Sequence, residues 1–268
     1  MIVAVDTGGT KTLIASFDAA GEINVLTKFP TPRDKTEYLN AVTATIADAN
    51  LGNIEAISIA LPGPMRNGVL QRSPNIGWQD FDVVTEMKQR FPDSLITIAN
   101  DADLAGIAEA RALDNPGLCL YVTLSTGVGT GLTYDGKLLP QLRRVEGGSM
   151  RIEYAGARER WESIASGQNF YERYGQYGSE VDDPEKWQDY AKRAASGFLA
   201  LIPLLEPDHI VIGGSMGTHF AKYASYLQEI LDTDIAKHMT DVRITQAKRP
   251  EEAVIYGCYY YAVDALAR

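Results

Sequence analysis

The feature that most constrains this 268-residue chain is a glycine-rich hairpin pattern that occurs twice. The first copy, from Val3, reads VAVDTGGTKTLIASFD, and the second, from Tyr121, reads YVTLSTGVGTGLTYDG. In each copy an apolar run breaks at a glycine-rich turn and then resumes, which is typical of strand, turn and strand. We therefore predict a duplicated α/β fold with two lobes, whose hairpin tips face each other across an interlobe cleft.

The rest of the sequence predicts where the two lobes divide. A third junction of strand and glycine lies at residues 209–215, and apolar residues at helical spacing predict helices on both sides of it. No low-complexity linker interrupts the chain. We predict an N-terminal lobe of residues 1–99 that is completed by a returning helix at residues 252–268. The C-terminal lobe is predicted over residues 100–251.

Composition excludes several classes of partner. The formal net charge of −10 disfavours nucleic acid and anionic membranes, because both require a basic patch. Two cysteines are too few for a disulfide framework or a four-ligand zinc site. The start of the sequence lacks a basic segment followed by a long apolar run, so we expect a cytoplasmic protein.

Several common nucleotide and catalytic motifs do not occur. Lys11 lacks the preceding glycine of a Walker P-loop. The glycines at 127, 129 and 131 form GxGxG rather than the dinucleotide GxGxxG, and the turn leads into a predicted strand rather than a helix. No HExxH motif is present. These exclusions leave the two glycine turns as the strongest candidates for a functional site.

The two glycine turns suit the binding of a polyphosphate. Glycine lets main-chain N–H groups approach phosphate oxygens without a side chain in the way. Thr10 and Lys11 on the first turn, with Thr126 and Gly127 on the second, are the natural donors. Glycine turns also join ordinary hairpins, so this pattern alone leaves a purely structural role open.

Asp101 is the candidate general base. It stands in the segment ANDAD, directly after the apolar run Leu95–Ile98, and a carboxylate at the carboxyl end of a strand is well placed for proton transfer. The competing interpretation is that Asn100 or Asp101 caps the helix that follows. The residues by themselves leave both interpretations open.

Six motifs taken in order carry a family resemblance. DTGGTKT, LPGP, PNIGW, ANDAD, STGVGTGL and IVIGGS follow one another along nearly the whole chain. This order resembles the ROK family of sugar kinases and repressors, which belongs to the hexokinase–actin ATPase superfamily. The resemblance implies a two-lobed fold of the ribonuclease-H-like and actin-like ATPase type. It also implies a glucokinase-like activity, in which ATP with Mg²⁺ phosphorylates a hydroxyl of a hexose or amino-hexose.

The resemblance also assigns expected roles to individual residues. Asp101 is implied as the catalytic base. The implied sugar-binding residues are Asn75, Asn100, Glu146, Ser149 and Glu162. The implied ATP-binding residues are Asp6, Gly8, Gly9, Thr10, Lys11, Thr126, Gly127, Gly213, Gly214 and Ser215.

The chain departs from the family at its zinc motif. ROK kinases usually carry Glu-x-Gly-His followed by a cysteine cluster that binds zinc. Here the first motif is Glu146-Gly147-Gly148-Ser149, and residues 155–158 read AGAR where the cysteines would stand. We therefore expect no bound zinc, and Ser149 in place of histidine leaves the identity of the sugar open.

Three alternatives compete with the ATP-dependent kinase. A family repressor would carry a helix-turn-helix domain before the first phosphate loop, but Asp6 stands almost at the start of this sequence. A non-catalytic sugar-sensing protein is suggested only by Ser149. A glucokinase that uses polyphosphate as donor would need a basic track that this acidic sequence lacks. The expected partner is a small-molecule sugar, and the sequence leaves open whether the chain forms a homodimer.

Overall fold

The computed structural model describes residues 1–139, 141–143, 145–235, 242–250 and 252–268. The chain divides into two compact units, one of Met1–Ala108 with Glu252–Arg268 and the other of Glu109–Glu251. Residue 251, at which we predict the second lobe to end, lies outside the described residues.

The first unit is built on a five-stranded sheet. Its elements in chain order are β1 (Ile2–Thr7), β2 (Lys11–Phe17), β3 (Ile23–Pro30), α1 (Lys35–Asp48), β4 (Ala56–Leu61), β5 (Met65–Arg66), β6 (Val69–Ser73), β7 (Trp78–Phe81), α2 (Val83–Arg90), β8 (Leu95–Asn100) and α3 (Asp101–Ala110). The sheet has the order β3-β2-β1-β4-β8, and β5, β6 and β7 form a separate small sheet.

The second unit repeats this plan. Its elements are β9 (Leu118–Leu124), β10 (Val128–Tyr134), β11 (Lys137–Leu138), β12 (Arg151–Tyr154), β13 (Ala157–Arg160), α4 (Trp161–Ala165), α5 (Gly167–Tyr174), α6 (Pro184–Leu205), β14 (His209–Gly213), α7 (Gly214–Gly217), α8 (Ala224–Asp234) and β15 (Arg243–Gln246). Short 3₁₀ turns lie at Gly147–Ser149, Gly178–Glu180 and Phe220–Lys222. The main sheet has the order β11-β10-β9-β14-β15. The final helix, α9 (Ala253–Leu266), returns to the first unit.

The two main sheets share one topology. In the first, β1 pairs antiparallel with β2 and parallel with β4, and β4 pairs parallel with β8. In the second, β9 pairs antiparallel with β10 and parallel with β14, and β14 pairs parallel with β15. The prediction of an α/β chain with a hairpin at the start of each half is thereby confirmed.

The first unit extends beyond the predicted boundary at residue 99 and ends at Ala108. Helix α3 follows β8 without a loop, so its residues up to Ala108 stay with the sheet that it leaves. It also packs closely on α9, because a β-carbon added at Gly257 would lie 1.9 Å from the carbonyl oxygen of Leu104. Asn100 and Asp101 therefore belong to the first unit.

The second glycine turn is shorter than the run Ser125–Gly131 that the sequence predicts. Strand β10 already begins at Val128, which pairs with Leu124, so the turn comprises only Ser125–Gly127. Gly129 and Gly131 lie inside the strand. The reason is the antiparallel pairing with β9, which continues through both glycines to Tyr134.

Buried apolar side chains hold each sheet to its helices. In the first unit Val3 and Val5 share a cluster with Tyr38, Val42 and Ile46 of α1, while α9 packs against β1, β4 and β8. In the second unit the sheet packs with α4, α5, α6 and α8, around the buried rings of Trp161 and Trp187. Within the described residues no helix is both long and apolar enough to cross a membrane.

Candidate functional site

The carboxyl edge of the first sheet brings two aspartates onto neighbouring strands. Asp6 near the end of β1 is in register with Ala60 of β4, and Ala60 is in register with Ala99 of β8. Asp101 follows two residues later as the first residue of α3. Because parallel strands end at one edge, ligands of open α/β sheets bind there.

Both carboxyl groups have raised pKa values. Desolvation raises the pKa of Asp101 to about 6, although hydrogen bonds from the main chain lower this pKa in part. Desolvation also raises the pKa of Asp6 to about 7, with a further increase from the negative charge of Asp101 and a decrease from Lys28. Both residues nevertheless retain partial solvent exposure. A partly exposed carboxyl group that titrates near neutral pH is suited to proton transfer.

The helix cap and the candidate base are adjacent residues. The side-chain oxygen of Asn100 accepts a hydrogen bond from the N–H of Ala102 at 2.8 Å, and Asp101 accepts from the same N–H at 2.9 Å. The amide nitrogen of Asn100 donates to the carbonyl of Gly63 at 3.3 Å. Asn100 therefore caps α3 and ties it to the LPGP segment.

Gly63 in that segment cannot be replaced without a local rearrangement. Its φ is +130°, in the region that favours glycine, and an added β-carbon would lie 2.1 Å from the carbonyl oxygen of Arg72. The LPGP motif thus holds the chain close to β6, directly beside the Asn100 amide.

The first glycine turn is held by a threonine that the sequence analysis did not select. The Thr31 hydroxyl donates to the carbonyl of Gly8 at 2.8 Å, and the Thr31 N–H donates to the carbonyl of Thr10 at 3.0 Å. The hydroxyls of Thr12 and Thr31 are 3.0 Å apart. Thr10 and Lys11 themselves are exposed at the tip, where they are accessible to a ligand.

Asn75 lies against this same turn. A β-carbon added at Gly9 would be 3.0 Å from the Asn75 β-carbon. The Arg33 guanidinium donates to the carbonyl of Asn75 at 2.5 Å, and the Trp78 indole N–H donates to the carbonyl of Arg33 at 2.7 Å. The first unit therefore brings a predicted sugar-binding residue next to a predicted phosphate-binding turn.

In the second unit Glu162 contacts the second glycine turn. Its carboxylate accepts a hydrogen bond from the N–H of Val128 at 3.1 Å. A β-carbon added at Gly127 would lie 2.3 Å from the same carboxylate oxygen. Glu162 is half-buried, and Thr126 at the tip of the turn is exposed. Glycine at 127 is thus what lets the carboxylate reach the main chain.

The Gly213–Ser215 segment lies beside the same turn. Gly214 has φ of +76°, and an added β-carbon would lie 2.6 Å from the carbonyl oxygen of Leu124. The N–H of Gly167 donates to the carbonyl of Ser125 at 2.6 Å, and a β-carbon added at Gly167 would lie 3.3 Å from the Ser215 hydroxyl. The second turn, the start of α5 and the Gly213–Ser215 segment therefore converge.

The Glu146–Ser149 segment packs on strand β10. The Thr130 hydroxyl accepts from the N–H of Gly147 at 2.9 Å, and a β-carbon added at Gly148 would lie 1.9 Å from the carbonyl oxygen of Val128. Both glycines are buried, whereas Glu146 and Ser149 are exposed. The two glycines thus hold the segment against the strand and leave its polar side chains accessible.

A hairpin lies where the family resemblance would place the zinc-binding cysteines that this chain lacks. Strands β12 and β13 pair antiparallel, and the two residues between them, Ala155 and Gly156, have φ of +51° and +79°. The N–H of Trp161 donates to the carbonyl of Met150 at 2.9 Å, and the Trp161 ring is buried against Phe198. Among the described residues no group of three or more histidines, cysteines and acidic residues could hold a metal ion.

The predicted site residues therefore form two sets. One set, in the first unit, consists of Asp6, Gly8, Gly9, Thr10, Lys11, Asn75, Asn100 and Asp101, and the other, in the second unit, consists of Thr126, Gly127, Glu146, Ser149, Glu162, Gly213, Gly214 and Ser215. Sequence reasoning missed the threonines that position them. Thr12 and Thr130 occupy the same position in the two hairpin copies, so the internal repeat was the signal that could have found them. No repeat or motif in the sequence pointed to Arg33 as a residue that contacts the site.

The chain has the two-unit α/β architecture of the actin-like ATPases, with a glycine hairpin at the start of each unit. It belongs to the ROK family, whose model matches residues 2–265. The chain is similar to a polyphosphate glucokinase of Mycobacterium tuberculosis (strain ATCC 25177 / H37Ra), at 27% identity over 235 residues that cover 84% of this chain and 81% of the relative.

Solved structures share the fold. A ROK family glucokinase from Streptomyces griseus, in complex with glucose and AMPPNP, has a TM-score of 0.82 at 22% identity and covers 98% of this chain and 99% of its own. A ROK family transcriptional regulator, a homologue of the E. coli MLC protein, has a TM-score of 0.77 at 18% identity, over 100% of this chain and 81% of its own. The fold therefore occurs in both kinases and regulators, and function has to be argued from the site.

Proposed function

We propose that this protein is a glucokinase-like sugar kinase that transfers the γ-phosphoryl group of ATP to a hydroxyl of a hexose or amino-hexose. The observation that carries the proposal is Asp101, a partly exposed carboxylate at the carboxyl edge of the first sheet whose pKa is raised to about 6. At neutral pH this group is ionised and able to accept a proton.

Asp101 would act as the general base. It accepts the proton of the sugar hydroxyl as that oxygen attacks the γ-phosphorus, the bond from phosphorus to the bridging oxygen of ADP breaks, and ADP leaves with the electron pair. Positioned proton transfer of this kind contributes about 10²–10⁴-fold to the rate. Asn100 fixes the start of α3 through its own cap, and so it orients Asp101.

The residues of the two glycine turns fit a magnesium nucleotide. Mg²⁺ is usually bound through one or two carboxylates together with substrate phosphates, and Asp6 supplies a carboxylate beside the first turn. The nucleotide phosphates would be held by Gly8, Gly9, Thr10 and Lys11 from the first unit and by Thr126 and Gly127 from the second. We assign Gly213, Gly214 and Ser215 to the adenosine side. Bound Mg²⁺ would neutralise charge on the phosphates.

The sugar hydroxyls would be bound by Asn75 and Asn100 from the first unit and by Glu146, Ser149 and Glu162 from the second. Amide and carboxylate groups can pair with several hydroxyls at once, which is what recognition of a sugar requires. Their exposed or half-buried state supports this assignment, because a bound ligand can reach them. Ser149 supplies a shorter side chain than the family's histidine, so the proposal extends to amino-hexoses with a bulkier substituent.

Two alternatives follow from the relatives. The polyphosphate glucokinase relative favours inorganic polyphosphate as a second candidate donor. The regulator among the similar structures represents the non-catalytic alternative.

One assay separates these alternatives. We would measure ADP release with Mg²⁺ and ATP across glucose, fructose, mannose, N-acetylglucosamine and N-acetylmannosamine, and phosphorylated sugar with polyphosphate in place of ATP. Saturable ADP release with one sugar supports the proposal. Turnover with polyphosphate but not with ATP would show that polyphosphate is the donor. If neither donor gives turnover, sugar binding measured by calorimetry would indicate the non-catalytic alternative.

A further inference from the structure

We infer that Arg33 is a positioning residue that locks the sugar-binding segment of the first unit onto its phosphate-binding turn. This inference rests on the proposed function. It concerns the segment Pro74–Trp78, which carries Asn75, and the turn Gly8–Thr10. Arg33 belongs to neither, and its role is to fix one against the other.

The first link is between Arg33 and the sugar segment. Its guanidinium donates to the main-chain carbonyl of Asn75 at 2.5 Å. The donor is charged, which strengthens a hydrogen bond, although both residues are exposed and solvent offsets part of that gain. Because the acceptor is a main-chain atom, the bond fixes the backbone from which the Asn75 side chain projects.

The second link runs back from the same segment to Arg33. The Trp78 indole N–H donates to the main-chain carbonyl of Arg33 at 2.7 Å. The Trp78 ring is 2% exposed and packs edge-on against Tyr38, with ring centroids 4.8 Å apart. Arg33 and the sugar segment are thus joined by two hydrogen bonds of opposite direction, and the tryptophan is anchored in the core.

The third link is between the Arg33 segment and the phosphate-binding turn. Thr31, two residues before Arg33, donates its hydroxyl to Gly8 and its N–H to Thr10. Pro32 stands between them and fixes φ, and Asp34 caps helix α1 through the N–H of Glu37 at 2.9 Å. The four residues 31–34 therefore form a short, restrained connection.

The loop of contacts closes at Gly9 and Asn75. The position of a β-carbon on Gly9 lies only 3.0 Å from the Asn75 β-carbon, so the two segments touch. A shift of Asn75 by even a small distance would alter both its reach to a sugar and the shape of the turn. Misplacement of about 1 Å can cost on the order of 10²-fold in an enzyme. The geometry predicts that loss of the Arg33 side chain weakens sugar binding.

The test compares Arg33→Ala with a matched control, Lys35→Ala. Lys35 also donates to a main-chain carbonyl of this region, that of Gln79 at 2.5 Å, but it lies outside the loop of contacts. We expect Arg33→Ala to raise the sugar KM, and the sugar Kd measured by calorimetry without ATP, about tenfold. Lys35→Ala should change both values less than twofold. Arg33→Lys, which can still donate to the carbonyl, should recover part of the loss.

A double-mutant cycle with Asn75→Ala tests the route of the effect. If Arg33 acts through Asn75, adding Arg33→Ala to Asn75→Ala should cost clearly less than tenfold. Equal sugar Kd values in wild type and Arg33→Ala, at unchanged melting temperature, would overturn the inference. So would full additivity in the cycle. Absence of turnover in the wild type would instead count against the proposed function, since the calorimetric comparison does not need turnover.

Discussion

The carboxylate of Glu162 accepts a hydrogen bond from the main-chain N–H of Val128, 3.1 Å away, at the end of the second glycine turn. A residue proposed to bind sugar is therefore bonded to a turn proposed to bind phosphate. The first unit has a counterpart, since Asn75 lies against Gly9 of the first turn. Each unit thus contains a direct contact between a residue that we propose binds sugar and a turn that we propose binds phosphate.

We predict that Glu162→Gln raises the KM for the sugar and, by a smaller factor, the KM for ATP. The neutral amide is a weaker acceptor for the Val128 N–H, and hydrogen bonds to charged groups contribute about 1.5–3 kcal/mol. We therefore expect about a tenfold rise in sugar KM. Glu159→Gln on the exposed strand β13 is the control and should leave both constants unchanged. An effect on kcat alone would contradict the assignment.

The Asp101→Asn variant should lose nearly all phosphoryl transfer and retain sugar binding. Asparagine keeps the size of the side chain and can still accept from the Ala102 N–H, so α3 should stay intact. It cannot take up the proton of the sugar hydroxyl. Single-turnover rates and sugar Kd values together check this prediction. If more than about a tenth of the wild-type kcat remains, Asp101 serves only the helix and the base lies elsewhere.

The pH profile of kcat/KM should have an acidic limb near pH 6 to 7. Asp101 must be ionised to accept a proton, and its pKa is raised to about 6, while that of Asp6 is raised to about 7. Activity should therefore fall as the pH is lowered through this range. Because the two carboxyl groups interact, the limb reports the pair rather than one residue. A profile that stays flat down to pH 5 would show that neither ionisation is needed.

Asp6→Asn should stabilise the protein more at pH 8 than at pH 5. The folded-state pKa of Asp6 is raised from 3.8 to about 7, so folding favours the protonated form and wild-type stability declines as the pH rises through that window. Asparagine removes this decline. The difference in unfolding free energy between the two pH values should be on the order of 2 kcal/mol. Melting curves in buffer free of divalent metal check it, and a gain that does not depend on pH would contradict the desolvation argument.

Ser149 gives a prediction about the missing histidine and zinc. Ser149 is exposed, and its N–H is bonded to the carbonyl of Glu146 at 3.0 Å. A histidine there would restore a donor to the sugar, and one hydrogen bond is worth about 0.5–1.5 kcal/mol. Ser149→His should therefore change the sugar KM about 2- to 13-fold and kcat less. An unchanged KM would mean that Ser149 does not contact the sugar.

Elemental analysis should find no stoichiometric zinc, and bound zinc would overturn our interpretation of the 155–158 segment.

The sequence by itself determined the duplicated hairpins and the turns at their tips. An apolar run, a glycine turn and a second apolar run are local patterns, and two copies of them were sufficient to predict two α/β halves. The sequence could also single out Asp101, because a polar cluster after a buried strand is visible without coordinates. It could not decide between cap and base, since both need the same kind of residue at the same place. In the structure Asn100 accepts from the N–H groups of Ala102 and Asp103, and Asp101 also accepts from that of Ala102. The Asp101→Asn experiment is what separates the two roles.

Only the tertiary structure decided which distant segments meet. Pairing with β9 through Gly129 and Gly131 shortened the second turn, and packing of α9 on α3 moved the end of the first unit to Ala108. Arg33 reaches Asn75, 42 residues away, and Glu162 reaches Val128, 34 residues away. Such contacts depend on which strands pair and which helices pack, and burial of whole faces sets these rather than any local pattern. Periodicity and motif spacing therefore predict the parts of this site, whereas long-range packing determines how the parts within each unit fit together.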